Sequence, residues 1–134
     1  MNKVGFINGC FDILHIGHVE LLSHAKSKCD YLIVGLDSDE RVAQLKGSSR
    51  PINNLKDRIG MMTALRYVDE VRTFSTAQEL EEMIKSIAPD VMMVGSDWEG
   101  KQIIGADYAA EVLFFRRIDG YSTTKTIEDI SYRR

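Results

Sequence analysis

The chain has 134 residues, 44% of them hydrophobic and 28% charged, with a formal net charge of -3. That length suffices for one compact domain over residues 1–134 with a core of its own, and it needs neither disulfides nor a structural metal. No apolar run approaches the roughly 20 residues of a membrane span, the start MNKVGFING lacks a secretory signal, and the acidic balance supplies no basic field for nucleic acid. The expected setting is therefore cytoplasmic, with no membrane and no nucleic-acid partner. Cys10 and Cys29 are too few and too unpatterned for a disulfide framework or a thiolate zinc site and read as free thiols, Cys29 as a plain buried one.

In chain order, Val4 to Ile7 reads as a first strand, followed by the loop NGCFDILHIGH from Asn8 to His18. Val19, Leu22 and Ala25 then mark one face of a helix. Tyr31 to Leu36 is a second strand, apolar on both faces. KGSSRPIN, from Lys46 to Asn53, gathers Gly, Ser and Pro into an exposed, mobile, basic loop. Asn54 and Asp57 cap a helix with Ile59, Met62 and Leu65 on its inner face and Arg58 and Arg66 two turns apart. Glu70 to Phe74 is a third strand. Thr76 with Glu79 forms a capping box opening a helix from Ala77 to Ser86, and Pro89 ends it. Asp90 to Gly95 and Glu111 to Phe115 complete the set of strands. Such alternation predicts an α/β, Rossmann-like three-layer fold with a five-stranded parallel sheet flanked by helices.

In open α/β sheets the ligand crevice lies beyond the carboxyl ends of the strands, which directs attention to the segments that follow them. After the first strand, Gly9 and Gly17 let a ligand approach backbone N–H groups at a positive helix end, a phosphate site that is neither GxGxxG nor a Walker A loop. His15 and His18, three apart, point to one side of a helical turn and supply donors to phosphate oxygens. A core-facing histidine pair and a zinc pair are the alternatives. Zinc needs a third protein ligand, and only His24 and scattered carboxylates remain. After the last strand, RRIDGYSTTK places Arg117, Lys125 and the hydroxyls of Ser122, Thr123 and Thr124 around a tight turn at Gly120. It reads either as a second anion cradle or as an ordinary helix cap with solvated basic neighbours. Lys46, Arg50, Arg58 and Arg66 form a third basic set, and SDWEGK, from Ser96 to Lys101, sets Trp98 among charges at the sheet edge.

HIGH after a strand, preceded by GCFD and joined to a distant STTK, resembles the small nucleotidylyltransferases of the cytidylyltransferase type within the HxGH superfamily. The resemblance covers nearly the whole chain. NGCFDILHIGH, KGSSRPIN and IIGADY are similar to the heptose-1-phosphate adenylyltransferase domain of ADP-heptose synthases. RYVDEV, SDWEGK and STTK are similar to glycerol-3-phosphate cytidylyltransferase. What it implies is transfer of a nucleoside monophosphate from ATP or CTP to a phosphorylated sugar or polyol, with pyrophosphate released and Mg²⁺ carried on the triphosphate. His15, His18, Lys46 and Arg117 are then the catalytic set. Gly9, Cys10, Phe11, Asp12, Gly17, Ser96, Asp97, Ser122, Thr123 and Thr124 bind the nucleotide, and Lys46, Arg58, Asp97 and Trp98 hold the acceptor. Arg66 contributes structure or an interface. Cys10 stands where cytidylyltransferases often carry threonine. No metal site belongs to the chain itself, and a homodimer is the family expectation. The rival readings are an HxGH adenylyltransferase acting on a cofactor precursor and a nucleotide-binding regulatory module without turnover.

Overall fold

The computed structural model describes residues 2–116 together with 127 and 130. Five strands, β1 (Val4–Gly9), β2 (Tyr31–Asp37), β3 (Glu70–Phe74), β4 (Val91–Gly95) and β5 (Glu111–Phe115), form one parallel sheet in the order β3-β2-β1-β4-β5. Helices α1 (Ile16–Ser27), α2 (Asp39–Lys46), α3 (Leu55–Thr63) and α4 (Ala77–Ile87) join them. The expected α/β, Rossmann-like architecture is present.

Side chains on a strand alternate between faces, so a sheet covered on both sides needs apolar residues at both parities. Ile7, Leu32, Val34, Leu36 and Met93 meet Leu22 and Ala25 of α1 and Met62 of α3 in one core. Phe6, Ile33 and Met92 point the opposite way, onto Leu80 and Ile84 of α4. Each fully buried side chain of this size contributes roughly 1.5–3 kcal/mol of transfer free energy. Local chemistry sets the helix ends. The Asn54 side chain accepts the Asp57 N–H at 2.9 Å to open α3. Thr76 accepts the Glu79 N–H at 3.0 Å to open α4, and the Glu79 carboxylate takes the N–H of Ser75, one residue earlier than a full capping box requires.

Three expectations change. Helix α2 is not visible in hydrophobic periodicity because DERVAQLK buries only Val42; its signals are the Ser38 cap, Asp39 and Glu40 in the first turn and Lys46 in the last. Arg58 and Arg66 do not share a helix face, since α3 ends at Thr63 and Arg66 instead lies over the Tyr67 ring. Cys29 is half-buried rather than a core residue, and its thiol donates to the Ala25 carbonyl.

The chain steps outward from β1 through β2 to β3, and α4 then carries it back to β4 on the other side of β1. That reversal is where such sheets hold ligands. β1 and β2 pair along their length, from Val4↔Tyr31 to Gly9↔Leu36. β1 and β4 pair only at Gly5↔Val91 and Phe6↔Met92. From Ile7 and Met93 onward the two central strands part, and the crevice begins there.

Candidate active site

A cleft of about 660 Å³ opens at this parting, within the usual range for small-molecule sites. Its floor is Ile7, Asn8 and Gly9 of β1 and Met93, Val94 and Gly95 of β4. Cys10, Phe11, His15, Gly17 and His18 line it from the first loop and α1. Asp37, Arg41, Leu45 and Lys46 come from the β2 side, and Asp97 and Trp98 from the loop after β4.

The two histidines meet, though not as successive positions of one helix. His15 is the N-cap, in extended backbone, and His18 is in the first turn. Their rings stack with centroids 3.8 Å apart at an interplanar angle of 21°. The His15 backbone N–H donates to His18 Nδ1 at 3.2 Å. An accepting Nδ1 leaves the ring proton of neutral His18 on Nε2, so His18 presents a donor at the helix N-terminus. Beneath it, Phe11 is buried in the left-handed region at φ 47, its ring 5.2 Å from that of His18. A Cβ on Gly9 would come within 3.0 Å of the Phe11 ring. Gly9 is thus the residue that lets Phe11 fold back under the histidines. Backbone strain of this kind costs on the order of 1–3 kcal/mol and is kept where surrounding contacts over-determine it.

Arg58 and Asp12 do not reach the cleft, contrary to the roles expected for them. The Arg58 side chain is fully buried and ties four segments together. Its Nε donates to the Asn53 carbonyl, its Nη1 to the carbonyls of Cys10 and Asp37, and its Nη2 to Asp39 Oδ1 at 2.7 Å. With its donors so engaged, Arg58 positions the walls of the site rather than holding phosphate. The buried Asp12 carboxylate accepts from Arg50 Nε and from the N–H groups of Ile52 and Asn53, the latter two at 2.8 Å. These bonds anchor the second half of KGSSRPIN, and Arg50 is only 8% exposed. The expected exposed basic loop is therefore exposed at Gly47, Ser48 and Ser49 but tied down from Arg50 onward.

Lys46, the last residue of α2, is exposed at the cleft. Ser96 opens the short 3-10 turn Ser96–Trp98, outside the lining residues. Asp97 folds back over Gly95, where a Cβ would lie 2.7 Å from its Oδ1. Trp98 is 49% exposed, with the Lys101 ammonium 5.9 Å from its ring. Arg117, Ser122, Thr123 and Thr124 lie outside the described residues.

Its place just after the second strand marks Asp37 for attention in the sequence, but Arg41 and the pairing of the two were missed. They form an ion pair at 2.9 Å, and burial pushes the Asp37 carboxyl above its ordinary range against the opposing pull of Arg41. Their signal was an i,i+4 spacing, which becomes readable only once α2 is recognised as a helix.

A sequence profile described as cytidylyltransferase-like matches residues 6–128. The chain belongs to that family. It is a nucleotidyltransferase-class enzyme. Among curated relatives, the "Bifunctional protein HldE" of Sulfurimonas denitrificans is 52% identical over 96% of this chain, and that of Helicobacter hepaticus 46% over 96%. In both cases the chain spans only 27% of the relative's length. Among solved structures, a lipopolysaccharide core biosynthesis protein from Thermoplasma volcanium has a TM-score of 0.67 at 23% identity, covering 91% of this chain and 100% of its own. A pantoate-beta-alanine ligase from Francisella tularensis has a TM-score of 0.59 at 14% identity, covering 99% of this chain and 71% of its own. At such identities these two describe the fold alone. Among the described residues no helix is long and apolar enough to cross a membrane.

Proposed function

We propose that this cytidylyltransferase-like chain transfers the nucleoside monophosphate of ATP to a sugar 1-phosphate of the heptose type. The observation that carries the reading is the stacked His15–His18 pair at the N-terminus of α1, facing the parting of β1 and β4. Similarity of NGCFDILHIGH, KGSSRPIN and IIGADY to heptose-1-phosphate adenylyltransferase domains supports the acceptor class, as do the HldE relatives.

In the proposed reaction an acceptor phosphate oxygen attacks the α-phosphorus in line. A P–O bond forms, the bond to the β-phosphate oxygen breaks, and pyrophosphate leaves with that electron pair. The acceptor is already an anion, so no strong general base is needed, and catalysis rests on position and charge. His18 Nε2–H and the first-turn N–H groups of α1 are the donors to the charge that builds on the α-phosphoryl oxygens. Lys46 orients the acceptor phosphate, and Arg117 with the 122–124 hydroxyls is assigned to the leaving phosphates. Mg²⁺, when bound, neutralises triphosphate charge. Among the described residues no group of three or more His, Cys, Asp or Glu is arranged to hold a metal. Of the two cleft carboxylates, Asp37 is paired with Arg41, and Asp97 is the one that would ligate Mg²⁺. A homodimer is part of the same proposal.

The test is pyrophosphate release with ATP or CTP against heptose 1-phosphate and glycerol 3-phosphate. ATP with heptose 1-phosphate is expected to be the productive pair, and His18→Ala to lower its kcat by about 10²–10³ with little change in ATP affinity. Faster turnover of CTP with glycerol 3-phosphate overturns the substrate assignment. Unchanged kcat in His18→Ala overturns the histidine role.

A further inference from the structure

The β2 wall of the cleft carries a charged pair that phosphate transfer leaves unused. Asp37 ends β2 and Arg41 lies in the first turn of α2, and their side chains are only 12% and 16% exposed. Both line the cleft. The pair is held from several directions. The Asp37 carbonyl accepts from Arg58 at 2.8 Å, the Arg41 N–H is taken by the Ser38 hydroxyl, and the guanidinium lies 5.6 Å from the centre of the Phe74 ring.

The bond within the pair runs from Arg41 Nε to Asp37 Oδ1. Among the described residues, Asp37 Oδ2 and the terminal guanidinium nitrogens have no hydrogen-bond partner, yet none of them is sealed from the cleft. The wall therefore offers one charged acceptor beside fixed donors. An internally neutral pair competes poorly for a phosphate. It suits two adjacent hydroxyls, one donating to the carboxylate and the other accepting from the guanidinium. Lys46 follows Arg41 by five residues on the same helix, roughly 7.5 Å along its axis at 1.5 Å per residue.

We propose that Asp37 and Arg41 read a vicinal diol on the sugar ring of the acceptor, while Lys46 takes its phosphate. The inference rests on the sugar-phosphate reading above and deepens it. Burial already disfavours the Asp37 charge, so hydroxyl donors replace solvation that burial takes from the carboxylate. A pyranose phosphate is long enough to engage both ends. Glycerol 3-phosphate also carries two adjacent hydroxyls, but its three-carbon chain holds them closer to the phosphate than a ring holds its far hydroxyls.

Steady-state kinetics on the full chain with ATP and heptose 1-phosphate tests the assignment. Asp37→Asn and Arg41→Gln are each expected to raise the acceptor KM by about tenfold or more while the ATP KM stays within about twofold, and Arg41→Lys to recover part of the loss. A merely structural pair would raise both KM values together, and that result overturns the inference. So does an unchanged acceptor KM in both variants. A wild type that uses glycerol 3-phosphate with the same kcat/KM as heptose 1-phosphate overturns the reading of a diol on a sugar ring but leaves nucleotidyl transfer intact. A wild type that releases no pyrophosphate with any pairing overturns the sugar-phosphate reading, and the inference with it, before any variant is made.

Discussion

On the β2 side of the cleft, Asp12, Arg50 and Arg58 are buried side chains whose charges meet partners inside the protein, whereas on the β4 side Asp97, Trp98 and Glu99 stand exposed on a short turn. A buried, hydrogen-bonded charge network has one good arrangement, and removing a member leaves others desolvated and unanswered. An exposed turn has no such debt. Local rigidity and ligand access are thus divided between the two walls, and substitutions on each should report on different quantities.

The strongest challenge to this contrast is Arg58→Met. It leaves the carbonyls of Cys10, Asp37 and Asn53 without their donor, and a loss of about 3–5 kcal/mol in urea unfolding is expected. A loss below about 1 kcal/mol would erase the difference between the walls. Trp98→Ala sharpens it from the other side. Stability should stay within about ±0.5 kcal/mol, while calorimetric binding of ATP weakens by about 1–3 kcal/mol if the indole stacks on the base. The smallest effect is expected far from the cleft, at Asp69. Burial opposes its charge, but the Lys26 ammonium and the Leu32 N–H outweigh that and hold its carboxyl below the usual range. Its stabilisation is therefore complete above the unfolded value of about 3.9 and is lost as pH falls through the lower folded value. Asp69→Asn should cost about 1 kcal/mol at neutral pH, and thermal unfolding should show the deficit vanishing under strongly acidic conditions.

The sheet was legible because its strands are dense in β-branched and apolar residues at both parities, so β3 and β5 fall at the predicted Glu70–Phe74 and Glu111–Phe115. The histidine pair was legible because few residue types at a helix mouth offer ring donors. What escaped was the β2 wall. Arg58 reads in sequence like any solvated arginine, since nothing local reveals that Cys10, Asp37, Asp39 and Asn53 converge on it from other segments. Asp12 misleads in the same way, because its neighbours in the chain face the cleft while its carboxylate turns toward the loop near Asn53. Helix α2 was missed because it is polar nearly all round, and its cap and end charges carry less weight than an apolar stripe would.

The short pairing between β1 and β4 has one more consequence. The sheet is two ladders, β3-β2-β1 and β4-β5, spliced by two rungs near their amino ends. Beyond the splice, main-chain amides and carbonyls stand where further rungs would form. Whatever fills the cleft occupies the place of that missing stretch of sheet. The opening is written into the strand register, so exchanging side chains on either wall can retune what enters without closing the door.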